Sequence, residues 1–246
     1  MIEKRFADYC TDKYEGQLAD LKCTPWIGKN YEEHGILVLG ASHHAHWKLD
    51  GGKLPDNLEE KKENIQKTKE GMEYKDIVND IVLWHGINSP ENNCYRTFTG
   101  VLLGKKNCTD TERKSIWPSV AFTNAIQDTM TDSTSTVFTP EQSEEAWQAF
   151  NKIVGILKPK VCISWGKEVI WSWANNQMAF RNKYKEEETF NRGKPRIASD
   201  LDIGGHTLSI ISIRHPSNIF YDTEGWHNCL MRHCPNEILG LAKYRE

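Results

Sequence analysis

The sequence predicts an α/β protein: a three-layer α/β/α sandwich around a central four-stranded, mostly parallel sheet. Three observations carry that expectation. Four apolar-rich runs (Ile36 to Leu39, Ser119 to Ile126, Val161 to Trp165 and Thr207 to Ile213) are short and nearly continuous, as strands buried on both faces are. Stretches with apolar residues at helical spacing separate them, which is the alternation that builds parallel sheets. Several runs end on glycine or a polar side chain, at the strand ends where open α/β sheets hold their ligands. The length of 246 residues, with 38% hydrophobic and 26% charged, fits one domain spanning 1–246.

Taken in order, residues 1–34 mix charges with Phe6, Tyr9 and Tyr14 and predict an N-terminal helix, then an irregular approach in which Trp26 and Tyr31 pack. The run Ile36 to Leu39 is the first strand, closed by Gly40. Beyond it, Asp50-Gly51-Gly52 marks a turn, and Asn57 to Lys69 reads as the solvated face of a helix. Ile77, Val78, Ile81 and Val82 recur at helical spacing and predict a helix ending near His85-Gly86. Residues 87–93 form a loop, and Tyr95 to Leu103 a short helix.

The second strand carries Asn124 towards its carboxyl end. Thr139-Pro140-Glu141-Gln142 then starts a helix, with Thr as cap, Pro at the first helical position and Gln142 placed for a capping box. Ala146, Phe150, Ile153, Val154 and Leu157 form its buried stripe, and Lys158-Pro159 stops it. Val161 to Trp165 with Gly166 repeats the pattern of strand then glycine, and Lys167 to Phe180 predicts the next helix, with Trp165, Trp171 and Trp173 as packing residues. Residues 181–196 are polar and basic, read as a solvated loop or as an edge that tracks phosphates. Thr207 to Ile213 is the last strand, and a helical region broken by Pro235 completes the chain.

Composition narrows the function classes. No apolar run approaches the roughly eighteen residues of a membrane span, and Glu3-Lys4-Arg5 has no apolar stretch behind it, so a cytoplasmic protein is expected, monomeric and without membrane contact. Seven cysteines at irregular spacing and no C-x2-C predict free thiols, with neither metal nor cofactor bound. A net charge of −3 leaves a local basic face open. His34, His85, His206 and His233 read as surface or satisfied core groups, and His227 as a residue within reach of the site.

Three strand ends carry the candidate chemistry: Gly40-Ala41-Ser42-His43-His44, Asn124, and Arg214-His215-Pro216-Ser217-Asn218. Their order and spacing resemble the uracil-DNA glycosylase superfamily over roughly Trp26 to Trp226, and Lys158 to Gly166 is similar to that family's third strand. The resemblance implies a DNA glycosylase that extrudes a damaged or modified pyrimidine and hydrolyses its N-glycosidic bond, in repair or anti-phage defence. It implies that the glycine-led motif places the hydrolytic water, that Asn124 reads the pyrimidine edge and that His215 stabilises the departing base. On the chemistry of these residue types Tyr95 or Phe98 stacks on the base and Ile219 or Phe220 wedges into the duplex, although an aromatic at helical spacing is more often core, and Arg214, Ser217 and Asn218 contact DNA.

The chemistry of those residue types agrees. Breaking the bond builds positive charge on the sugar and negative charge on the base, so a donor aimed at the base is worth most. One amide carries both acceptor and donors and matches the Watson–Crick edge of an extruded base. No lysine stands in these motifs, so the product expected is an abasic site without a Schiff base.

This chain departs from the family at Ala41 and Ser42, where other members carry a carboxylate or amide that orients water. Ser42, His43 or His44 must take that role, or the enzyme forgoes a general base worth about 10²–10⁴-fold. His44 aligns with a tyrosine that blocks groups on pyrimidine C5, which implies room for a 5-substituent such as that of glucosylated hydroxymethylcytosine. Two alternatives stay open. One is a metal-dependent hydrolase using His43, His44 and His46 with His215 and His227. The other is an inactive, nucleic-acid-binding relative.

Overall fold

The computed structural model describes residues 6–44, 76–89, 93–127, 129–130, 139–180, 182–187, 193–218 and 221–246. The N-terminal helix does not form among them: Glu15–Leu18 is one 3₁₀ turn, followed by β1 (Trp26–Ile27) and a single helical turn, α1 (Tyr31–His34). Trp26 and Tyr31 are buried, as expected, and Trp26 Nε1 donates to the Trp117 carbonyl at 2.9 Å. Gly35, at φ 67°, ends α1 and turns the chain into β2 (Ile36–Gly40), which leads to β3 (His43–His44). The charged run Asn57 to Lys69 lies outside the described residues.

The stretch expected as one helix is α2 (Ile77–Ile81), continued as a π-helix over Val82–Asn88. The buried Arg113 guanidinium supports that wider turn by donating to the Gly86 carbonyl at 3.1 Å. After α3 (Asn93–Leu103) and α4 (Asp110–Ile116) come β4 (Val120–Asn124) and the two-residue β5 (Thr129–Met130). Helix α5 (Pro140–Leu157) starts with the expected capping box: Gln142 N–H donates to Thr139 Oγ1 at 3.2 Å and Thr139 N–H to Gln142 Oε1 at 3.0 Å. Its five stripe residues are all buried, and Lys158 ends it in a left-handed conformation at φ 48°.

β6 (Val161–Trp165) and α6 (Glu168–Asn176) follow, and Trp171 on α6 is exposed rather than packed, with Lys167 Nζ 5.5 Å from its ring centroid. The chain then makes β7 (Tyr184–Glu186), β8 (Arg196–Ile203), β9 (His206–Ile213), α7 (Thr223–His233) and α8 (Pro235–Gly240), the last two divided at Pro235 as expected.

The main sheet has seven strands, not four, in the order β1-β4-β2-β6-β9-β8-β7. The four expected strands are its parallel centre, and β1, β7 and β8 extend it antiparallel at the two edges. Alternate residues of the centre feed opposite cores. Ile36, Val38, Phe122 and Ile163 pack under α3, α4 and α7, while Leu37, Leu39, Ala121 and Cys162 pack under α5 and α6. Two cores on two sheet faces make the α/β/α sandwich.

Candidate active site

Because β4, β2, β6 and β9 are parallel, their carboxyl ends share one edge of the molecule. Gly40 pairs with Asn124 in the ladder, and the pairing continues past both strands as Ala125 N–H donates to the Gly40 carbonyl at 2.9 Å and Ile126 N–H to the Ala41 carbonyl at 3.0 Å. A Cβ on Gly40 would lie 2.0 Å from Asn124 Oδ1 and 3.2 Å from the Phe122 ring. The amide therefore lies against bare glycine backbone, a place that only glycine leaves open. Asn124 is 6% exposed. Gln127 fixes the turn behind it: Nε2 donates to the Asn124 carbonyl at 2.7 Å, and Oε1 accepts from Cys23 N–H at 3.2 Å.

Ala41 and Ser42 follow half-buried, and the backbone of His43–His44 pairs in parallel with Thr129–Met130 as a small second sheet. His46 and the side chains of His43 and His44 lie outside the described residues, and the three-histidine metal alternative lies there with them.

At the end of β9 the chain turns tightly around Pro216, with Asn218 N–H donating to the His215 carbonyl at 3.2 Å. His215 Nδ1 lies 2.8 Å from Ser217 Oγ and takes the Ser217 backbone N–H at 3.3 Å. A backbone amide only donates, so Nδ1 is an acceptor and the proton of the neutral ring sits on Nε2. The ring stands edge-on to Trp165, 5.9 Å between centroids at 80°. Trp165 in turn packs on Phe122 at 5.2 Å, and Phe122 reaches Gly40. An aromatic floor thus runs from beneath Asn124 to His215.

Widths follow from strand spacing. β4 and β9 are three spacings apart, about 14 Å, but the Asn124 amide already lies over β2, leaving about 10 Å. His215, leaning on Trp165 of β6, takes up part of that.

On the other side of His215 is a hollow of about 340 Å³, lined by Arg214, Lys167, Lys194 and Arg196, with Ser212 and Trp226 at its base. Glu186 pairs with both Lys194 and Arg196, the latter at 2.9 Å. Among the described residues, four cationic side chains against one carboxylate leave the hollow positive. Lys167 was not foreseen as a site residue, and the basic segment 181–196, which runs into β8, supplies Lys194 and Arg196 as an edge beside the candidate histidine.

Other expected residues go elsewhere. Tyr95 and Phe98 are 6% and 0% exposed and pack as core residues, inside an aromatic cluster with Trp117 and Trp165. His227 Nδ1 donates to the Val101 carbonyl at 2.8 Å and docks α7 on α3 instead of reaching the site. Ser217 is exposed and Asn218 half-buried on the turn beside His215; Ile219 and Phe220 lie outside the described residues. His206 is bonded to the Pro159 carbonyl at 2.8 Å, whereas buried His34 has no hydrogen bond to Nε2. All seven cysteines are free, and among the described residues no helix is long and apolar enough to cross a membrane. No protein-family model matches this sequence, and no curated protein matches it either.

Proposed function

We propose that the chain is a monofunctional DNA glycosylase acting on an extruded, damaged or modified pyrimidine. One observation carries the reading: an amide laid over glycine and an imidazole with its Nε2 proton fixed by Ser217 stand at one sheet edge, over a common aromatic floor. In this reading Asn124 presents its amide to the Watson–Crick edge of the base. His215 donates from Nε2 to the pyrimidine O2 as the C1′–N1 bond breaks and negative charge gathers on the base. Water supplies the new C1′–O bond, and the departing base takes up a proton. The gap of about 10 Å, less the reach of the imidazole, suits one pyrimidine ring.

The positive hollow beside His215 supports a polyanionic partner, because lysines and arginines on phosphates provide most of the affinity in DNA binding. A substrate with a 5-substituent, such as the glucosylated cytosine of phage DNA, rests on the resemblance at His44. The test is abasic-site formation, read as alkali-labile breaks, across DNAs carrying uracil, 5-substituted uracils, modified cytosines and glucosylated bases. Breaks are expected on at least one substrate, with a 5-substituted pyrimidine preferred to uracil; a panel without breaks refutes catalysis.

A second reading, nucleic-acid binding without bond cleavage, is favoured by one feature: Gly40 to Trp47 contains no carboxylate to orient water. It predicts DNA binding with no abasic product.

A further inference from the structure

The last turn of α7 carries Cys229 and His233 one helical turn apart, which places both on one face. The residue after β7, Glu187, meets that face from the sheet edge. One ligand atom from each of Glu187, Cys229 and His233 falls within 4.8 Å of the other two. Their chemistry is a carboxylate, a thiol and an imidazole, three ligand types that together suit zinc.

Two of the groups already meet: His233 Nε2 is 2.7 Å from Glu187 Oε1, a short ion-pair contact that a zinc ion held by both would open to about 3.3 Å. The second carboxylate oxygen, Oε2, accepts from Arg232 Nη2 at 3.3 Å, the kind of outer contact that orients a ligating carboxylate. Cys229 is fully buried, and its sulfur lies within 4.8 Å of the other two ligand atoms.

We infer that Glu187, Cys229 and His233 form a zinc site, with a fourth position for water, that clamps the end of β7 to α7. On binding, the Cys229 thiol gives its proton to solvent and the sulfur bonds zinc as thiolate, while His233 binds through neutral Nε2. The consequence reaches the candidate active site. Glu187 N–H donates to the Pro195 carbonyl at 3.0 Å, so the clamp steadies the strand pair that brings Lys194 and Arg196 to the hollow beside His215. The role is structural, and it stands whether or not the chain cleaves DNA.

The full chain is loaded with zinc sulfate, freed of loose metal, and analysed for metal content and thermal midpoint. One zinc per chain is expected, and zinc at a hundredfold excess over its Kd should raise the midpoint by about 5–10 °C. Glu187→Gln, partly exposed and close in shape, should fold and lose both effects; Cys229→Ser should lose the thiolate-to-metal charge-transfer band of the cobalt(II)-loaded protein. His215→Ala should keep the zinc. Less than a tenth of an equivalent of zinc with no shift in midpoint overturns the inference, and so does full zinc loading in Glu187→Gln.

Discussion

On the β2–β4 side of the carboxyl edge, Asn124 is buried, its amide is seated on glycine, and its carbonyl is pinned by Gln127. On the β9–β8 side, His215 is exposed on a turn held by its own Ser217, and four cations surround an open hollow. The first half is built for shape and the second for charge. A rigid, uncharged group can read one base edge, whereas an open positive surface suits phosphates that differ little from site to site. The difference implies that substitutions on the two sides should fail in different ways.

The largest effect is expected at Gly40. Gly40→Ala puts a methyl where Asn124 Oδ1 lies, so excision should fall by about 10²–10³-fold, as it would for loss of a transition-state donor, with a stability cost of about 1–3 kcal/mol. Single-turnover kinetics and denaturant melts measure the two; wild-type excision by this variant would show that the amide is not positioned by glycine. On the other side, Ser217→Ala removes the hydroxyl contact to His215 Nδ1 and should cost about 1 kcal/mol, roughly fivefold in rate.

Weaker still, Lys167→Ala and Lys194→Ala should leave excision at saturating DNA nearly intact. Each should reduce the salt dependence of binding by about 0.7–0.9 in the slope of log K against log salt. A slope unchanged in both variants would separate the hollow from DNA binding.

The smallest effect concerns stability. Burial holds the His34 imidazole below its ordinary value, against the pull of Glu33 and alongside the repulsion of Lys243 and Lys160. The unfolded chain then binds more protons than the folded one between the depressed value and about 6.5. Stability from His34 is therefore complete above about pH 6.5 and is lost as pH falls through the folded value. His34→Gln should flatten the fall in thermal midpoint between about pH 7 and 5; an unchanged profile would show that His34 titrates normally.

Legibility in the sequence followed burial. Ile36 to Leu39 and Val161 to Trp165 are buried on both faces, with Ser164 the one polar residue in the two runs, and Thr139 to Gln142 announces a helix through local hydrogen bonds alone. β8 was hidden for the opposite reason. Arg196-Ile197-Ala198-Ser199-Asp200-Leu201 loses its alternation at an irregularity between Ala198 and Leu201, where Asp200 takes φ 55°, and it belongs to the polar end of the sheet. The π-helix after α2 has the same apolar spacing as an α-helix at its start and depends on Arg113, 27 residues from Gly86. At the site, Asn124 and His215 were marked by motif order, but Tyr95 and Phe98 show that aromatic spacing does not distinguish a base platform from a core. Glu187, Cys229 and His233 could not be grouped from spacing, because strand β7 brings the first from far along the chain.

The account rests on one base lying between Asn124 and His215, and single-turnover excision by wild type, Asn124→Ala and His215→Ala on the best substrate tests it most directly. With DNA saturating and each variant folded, both substitutions should slow excision by at least about a hundredfold while DNA is still bound. Wild-type rates in both variants would contradict it.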